Sequence, residues 1–185
     1  MIEALYSLFL QKALALLSKR AYTVLNMKKK LIEFTGKEKK KILDGKSRLE
    51  DEKQEALTSS SEEELEDSIK KVLGRLKELR YLDDTQFGSD FIDNRTAFRP
   101  RGAFLLKREL ERKGIHPDLA KRLLEEKEVD EESLAGIALK KKLKTIQKYP
   151  RQKQKEKAMR FLSSRGFKID AIYKVIDHWY NNTAI

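Results

Sequence analysis

An all-α fold of three tandem, helix-turn-helix-like three-helix repeats is what this sequence predicts, and three observations carry the prediction. Leu outnumbers Val 26 to four, and with 28 Lys, eight Gly and three Pro the 185 residues are poor in the β-branched and turn residues that sheets consume. Apolar residues recur at helical spacing along most of the chain. Three segments, KLIEFTG (30–36), ELERKGI (109–115) and FLSSRGF (161–167), repeat one pattern, a Leu four or five residues before a Gly that ends a helix and leads to another. A unit of this size buries little alone, so the repeats are expected to share cores or to stack end to end in an elongated array.

Taken in order, the strongly apolar Ile2 to Leu17 predicts a buried first helix. A secretory leader would carry its cations before the apolar run, whereas the first cation here is Lys12, inside it. Gln11 and Lys12 also interrupt the run short of the roughly 20 residues a bilayer requires, so no membrane association is expected. Thr23 is placed to cap a helix carrying Val24, Met27, Leu31 and Phe34 that stops at Gly36. Residues 37–67, net charge −4, with Asp44-Gly45 as a turn signal and Ser59-Ser60-Ser61, read as a polar insertion, partly helical or mobile, instead of core. Ser61 and Glu64 form a capping box ahead of Leu65, Ile69, Val72, Leu73 and Leu76, a helix running to about Arg80. Asp84 is placed as the next N-cap, ahead of a helix lined by Phe87, Phe91 and Phe98. Pro100 marks a restart, Leu106 and Leu110 follow, Gly114 ends that helix, and Pro117 opens one carrying Leu119 and Leu123.

Leu134 to Tyr149, Lys153 to Arg165 and Ile169 to Tyr180 complete eight or nine helices, with Gly166 as a stop and Ile169, Ile172, Tyr173, Ile176 and Trp179 as the last apolar stripe. Tyr173 and Trp179 are expected in the last core, with base stacking by an exposed Trp179 as the alternative. The division that follows is 1–80 with the insertion, a central repeat at 81–128, and a basic repeat at 129–185. The repeat spacing, 79 residues from Leu31 to Leu110 but 52 from Leu110 to Leu162, is irregular because of the insertion.

Charge points to a partner. The net charge is +11 and the pI near 9.6, and residues 140–185 alone carry +10. At 100° per residue, Lys140, Lys141, Lys144 and Lys148 share one face of the Leu134 to Tyr149 helix, opposite Ala135, Leu139, Leu143 and Ile146. Arg151, Lys153, Lys155, Lys157 and Arg160 continue this track. A solvated helix face accounts for any one of these lysines; the cluster as a whole favours the phosphates of DNA or another polyanion, with affinity that falls steeply as salt rises. No signal for base readout accompanies it.

Catalysis is not expected, nor is any metal or cofactor. Cys is absent, which removes thiolate chemistry and fits a cytoplasmic location. Asp83, Asp84, Asp90 and Asp93 resemble a carboxylate cluster, but their place at a helix start argues for capping. His116 and His178 lack ligand-spaced neighbours, and no phosphate-cradling glycine loop or nucleophile elbow occurs. Arg95 is set either to brace Asp93 or the Asp83-Asp84 corner, or to face a partner.

Residues 81–115, YLDDTQFGSDFIDNRTAFRPRGAFLLKRELERKGI, resemble the RecX family of bacterial proteins that regulate the RecA recombinase. The resemblance lies in the Tyr-Leu-Asp-Asp opening, Phe87, Phe91, Arg95, Gly102, Leu110 and the closing Lys113-Gly114-Ile115. It extends to KAMRFLSSRGFKIDAIYKVI at 157–176 and to LLSKRAYTVLNMKKKL at 16–31. Gly88, where Ala is common, and the long insertion at 37–67 depart from the pattern. The resemblance implies a curved array of three repeats that binds RecA filaments on single- or double-stranded DNA. It further implies inhibition of ATPase and strand exchange, and so modulation of recombination, DNA repair and the SOS response. A monomer is expected, and Arg95, Arg99, Arg101, Lys107 and Arg108 become candidate central contacts to protein or DNA. A helical DNA-binding transcription regulator and an adaptor that binds only protein are the alternatives; the first would prefer one duplex sequence, the second would ignore salt.

Overall fold

In the structure, a computed structural model that describes residues 2–182, every regular element among those residues is a helix. In chain order they are α1 (Ile2–Leu17), α2 (Val24–Leu43), α3 (Asp51–Ser59), α4 (Glu62–Glu78), α5 (Asp84–Phe98), α6 (Ala103–Arg112), α7 (Pro117–Glu126), α8 (Glu131–Ile146), α9 (Arg151–Ser164) and α10 (Ile169–Asn182). The chain divides into two compact units, Met1–Phe87 and Gly88–Ile185.

In the first unit, Leu5, Leu8, Phe9 and Ala13 of α1 pack with Met27 and Leu31 of α2 and with Leu65, Ile69, Val72 and Leu76 of α4. Two of the three caps read from the sequence in this unit are in place. Thr23 Oγ1 accepts from the Asn26 N–H (3.3 Å), and Ser61 and Glu64 exchange both capping-box bonds. Two expectations fail here. Gly36 does not stop α2, which runs through it to Leu43; an interior glycine costs only about 1 kcal/mol, and the turn that ends the helix has Gly45 at φ +64°. The stretch read as a polar insertion supplies α3, whose Ala56 and Leu57 are wholly buried in the same core. A nine-residue helix needs only this short apolar stripe to join a core, and its other positions stay polar.

The first unit closes on the Asp83-Asp84 pair, and the roles differ from expectation by one residue. Asp83 is the cap, its Oδ1 accepting from the N–H groups of Thr85 and Gln86 at 2.9 Å each. Asp84 reaches back 60 residues to accept from the Val24 N–H (2.9 Å), one of the donors that the start of α2 leaves without an intrahelical partner. Burial holds the Asp84 carboxyl above its usual range, against the opposing pull of the Val24 N–H and the Lys77 charge. Because the folded pKa is raised, the stability linked to this proton is fully present below the unfolded value of 3.8 and is lost as pH rises through the folded one. At neutral pH the acceptor matters more than the charge. Asp84→Ala is expected to cost about 1–3 kcal/mol in urea unfolding, and Asp84→Asn, which retains an amide oxygen, less than about 1 kcal/mol.

In the second unit, α5 buries Gly88 and Ile92, with the Gly88 backbone set against Leu123 of α7 and near Leu110 of α6. Phe87 and Phe91 are half-buried, but Phe98, expected on the same stripe, is 73% exposed at the helix end. Leu106, Leu110, Ile115, Ala120 and Leu123 fill the space between α6 and α7. A further core joins Ala135, Leu139, Leu143 and Ile146 of α8 to Ala158 and Leu162 of α9 and to Ile172, Val175, Ile176 and Tyr180 of α10. Trp179 packs at its edge, whereas Ile169 and Tyr173 are exposed, because α10 turns Val175 and Tyr180 inward in their place.

The α5–α6 turn is fastened to the α9–α10 turn. Gly102 N–H donates to the Arg165 carbonyl (2.9 Å), and Arg165 Nη1 donates to the Pro100 carbonyl (3.3 Å). Glu131 at the start of α8 accepts from two helix starts at once, Ala103 N–H on Oε1 (3.2 Å) and Lys168 N–H on Oε2 (2.7 Å). Gly102 and Gly166 sit backbone to backbone at this crossing. A Cβ on Gly102 would collide with the Gly166 carbonyl and stand 2.5 Å from the Phe167 nitrogen. One on Gly166, which holds φ +76°, would stand 2.5 Å from Leu105 Cβ.

Candidate nucleic-acid interface

The basic surface grows from α8, which starts at Asp130, whose Oδ1 accepts from the Glu132 and Ser133 N–H groups at 3.1 Å each. The Ser133 side chain first, and then these backbone bonds, hold the Asp130 carboxyl below its usual range. From this start the helical period turns Ala135, Ala138, Leu139, Leu143 and Ile146 inward and leaves Lys140, Lys141 and Lys144 exposed, as the sequence predicts. Lys148 is exposed too, but the helix ends at Ile146, so Lys148 leaves the stripe instead of extending it. It lies over the Tyr149 ring, 5.5 Å from its centre.

Tyr149 gathers the cations of two elements. Lys153 (5.5 Å) and Lys157 (4.5 Å), on the first turns of α9, lie over the same ring. Three ammonium groups therefore converge on one phenol, attracted by its π-face and repelling one another. Gln154 steadies the corner, its Nε2 donating to the Tyr149 and Gln147 carbonyls (2.7 and 3.1 Å), while its Oε1 accepts from the Tyr180 hydroxyl (3.2 Å). Among the described residues, none of Lys140, Lys141, Lys144, Lys148, Lys153, Lys155, Lys157 and Arg160 pairs with a carboxylate. Lys155 is turned away to the Tyr180 ring (5.3 Å), where burial raises the pKa of the phenol and the Arg151 charge opposes the rise. Arg151 and Arg160 are exposed on α9. The single track expected from the sequence is thus an exposed face of α8, a cluster at Tyr149 and a separate Lys155. Tyr149 was missed as its organiser, although cations one residue before it and four and eight after it were visible.

The central candidates divide by partner. Arg95 Nε donates to Glu109 Oε2 (2.9 Å) and its guanidinium lies over Phe91 (4.8 Å); Arg101 pairs with the other oxygen of Glu109. Arg95 is therefore a brace, but toward Glu109. Asp93, offered as its partner, pairs with Lys127 (2.6 Å), and the Asp83-Asp84 corner is engaged as described above. Lys107 approaches Glu111 at 4.0 Å, Arg108 lies over Phe104 (5.8 Å), and Arg99 is exposed. Burial and the charges of Arg101 and Arg99 lower the Arg165 pKa, so the fold holds three guanidinium groups near this crossing. His116 caps α7, its Nδ1 accepting from the Asp118 N–H (3.4 Å). Among the described residues no three His, Asp or Glu side chains are grouped to hold a metal ion, and no helix is long and apolar enough to cross a membrane.

Known proteins are similar to this chain in sequence and in fold. The family model for the third three-helix domain of RecX matches residues 130–176, the segment from the Asp130 cap to Ile176. Regulatory protein RecX of Prosthecochloris aestuarii is 34% identical over 117 residues, 63% of this chain and 76% of that protein. Regulatory protein RecX of Neisseria meningitidis serogroup A is 34% identical over 127 residues, covering 67% and 76% respectively. The crystal structure of RecX from Lactobacillus salivarius superposes with a TM-score of 0.69 at 16% identity, over 98% of this chain and 99% of that one, and shows the same all-helical fold of three-helix repeats. With a third of the residues shared along three quarters of such relatives, the chain belongs to the RecX family of regulatory proteins.

Proposed function

We propose that this protein regulates the RecA recombinase by binding, as a monomer, to RecA filaments on DNA and inhibiting their ATPase and strand-exchange activity. The 129–185 repeat holds DNA phosphates, and the 81–128 repeat adds contacts to protein or DNA. The observation that carries this reading is that, among the described residues, Lys140, Lys141, Lys144, Lys148, Lys153, Lys157 and Arg160 have no carboxylate partner, and that Lys148, Lys153 and Lys157 converge on Tyr149. Such a cluster lowers its own electrostatic cost when phosphates approach, and it needs no base contact to do so. The test is single-stranded-DNA-dependent ATP hydrolysis by the cognate RecA at fixed salt. Suppression is expected at well below one copy per recombinase, since an agent that blocks filament growth acts on many subunits. Undiminished hydrolysis at excess of the folded protein would overturn the reading.

A further inference from the structure

Two phenyl rings stand in solvent beside a run of cations in the central part of the chain. Phe98 is 73% exposed at the end of α5, and Phe104 is 65% exposed on the first turn of α6. Phenylalanine is ordinarily buried, and these two exposed rings lie within seven residues of sequence, on either side of one turn. Residues 94–108 carry five cations, Arg95, Arg99, Arg101, Lys107 and Arg108, and no carboxylate. Arg95 and Arg101 are taken up by Glu109, which leaves Arg99 exposed beside Phe98 in sequence and Arg108 over Phe104. The turn between the rings is not slack, because Pro100, Gly102 and Ala103 are each hydrogen-bonded to the α8 or α9–α10 backbone and side chains.

We propose that Phe98 and Phe104 are stacking platforms for the bases of a single-stranded nucleic acid, with Arg99 and Arg108 holding its phosphates. Exposed aromatic faces interleaved with cations on a fixed turn supply what a single strand requires, a π-surface for any base and positive charge along the backbone. A duplex offers these rings nothing, since its bases already stack on one another. The proposal rests on the reading that this protein binds a polynucleotide, and adds a second surface to the phosphate-holding lysines.

The full chain is titrated, at one low salt concentration, against a fluorescent thymidine oligonucleotide and an abasic strand of equal length, with anisotropy as the readout. The thymidine strand is expected to bind about 10-fold or more tightly than the abasic one. Phe98→Ala and Phe104→Ala are expected to erase most of that difference while leaving abasic binding and helicity unchanged. Phe98→Leu and Phe104→Leu, which keep the apolar surface and lose the π-face, are expected to behave like the alanine variants. Equal wild-type affinity for the two strands overturns the stacking proposal and leaves the phosphate reading intact. Full thymidine affinity in the leucine or alanine variants also overturns it, and gives the rings to a protein partner. No binding to either strand removes the polynucleotide reading beneath it and overturns both.

Discussion

Gly102→Ala is expected to lower the stability of the second unit by about 3 kcal/mol or more, at the upper end of what overpacking costs. The reason is the identity of the obstructing atoms. A methyl group there would meet the Gly166 carbonyl and the Phe167 nitrogen, which are backbone and do not rotate aside. Relief requires the α5–α6 turn to part from the α9–α10 turn, breaking the bond from the Gly102 N–H to the Arg165 carbonyl and loosening both bonds to Glu131. For a unit of this size each kcal/mol lowers the melting temperature by roughly 4–8 °C, so a loss of roughly 12 °C or more should be visible in a thermal scan. Gly136→Ala provides the opposite sign. Gly136 lies inside α8 with nothing within 4 Å of its added methyl, so its replacement should raise stability by about 0.5–1 kcal/mol. A Gly102→Ala melting curve that overlays the wild type would show that the two turns do not touch as described.

The same glycine shows what the sequence discloses and what it withholds. Caps were legible because they are local, with Thr23 three residues before the amide it holds and Ser61 three residues before Glu64. The α8 stripe was legible because a period of 3.6 sorts Leu139 and Leu143 from Lys140 and Lys144 without reference to any other element. Gly102 stood out in a motif, but its reason lies 64 residues away in Gly166, which periodicity does not reach. Glu109 likewise looks like any exposed helical glutamate until Arg95 and Arg101 are seen to converge on it. α3 was hidden because membership of a core is decided by the neighbours of Ala56 and Leu57 in space, and its own composition is polar. Asp83 and Asp84 were assigned to the right corner one residue out of register, because either carboxylate suits a helix start and only the position of α2 separates them.

Reversing three charges, Lys140→Glu, Lys144→Glu and Lys148→Glu together, should reduce duplex affinity by roughly 100-fold at low salt, and the slope of log affinity against log salt should shrink in magnitude by about 3. The two readouts test different things. Loss of affinity alone would also follow from misfolding, whereas a slope reports the number of counterions displaced, close to one for each phosphate neutralised. The fold should withstand the change, because all three lysines are exposed and none holds a carboxylate among the described residues. The structural losses are the Lys148 contact to Tyr149 and less favourable charge near the carboxyl end of α8, about 0.3–1 kcal/mol for each altered residue there. Lys153 and Lys157 remain on Tyr149 in this variant, so some binding should persist with a shallower slope. Removal of those two lysines as well should take most of the remainder. An unchanged slope in the triple variant would mean that phosphates approach elsewhere, and the weight would pass to the arginines around the Gly102 crossing. Suppression of RecA hydrolysis should follow the same order as DNA affinity if phosphate attraction is what delivers the protein to the filament. Suppression that survives the triple variant intact would instead assign delivery to contacts with the recombinase itself.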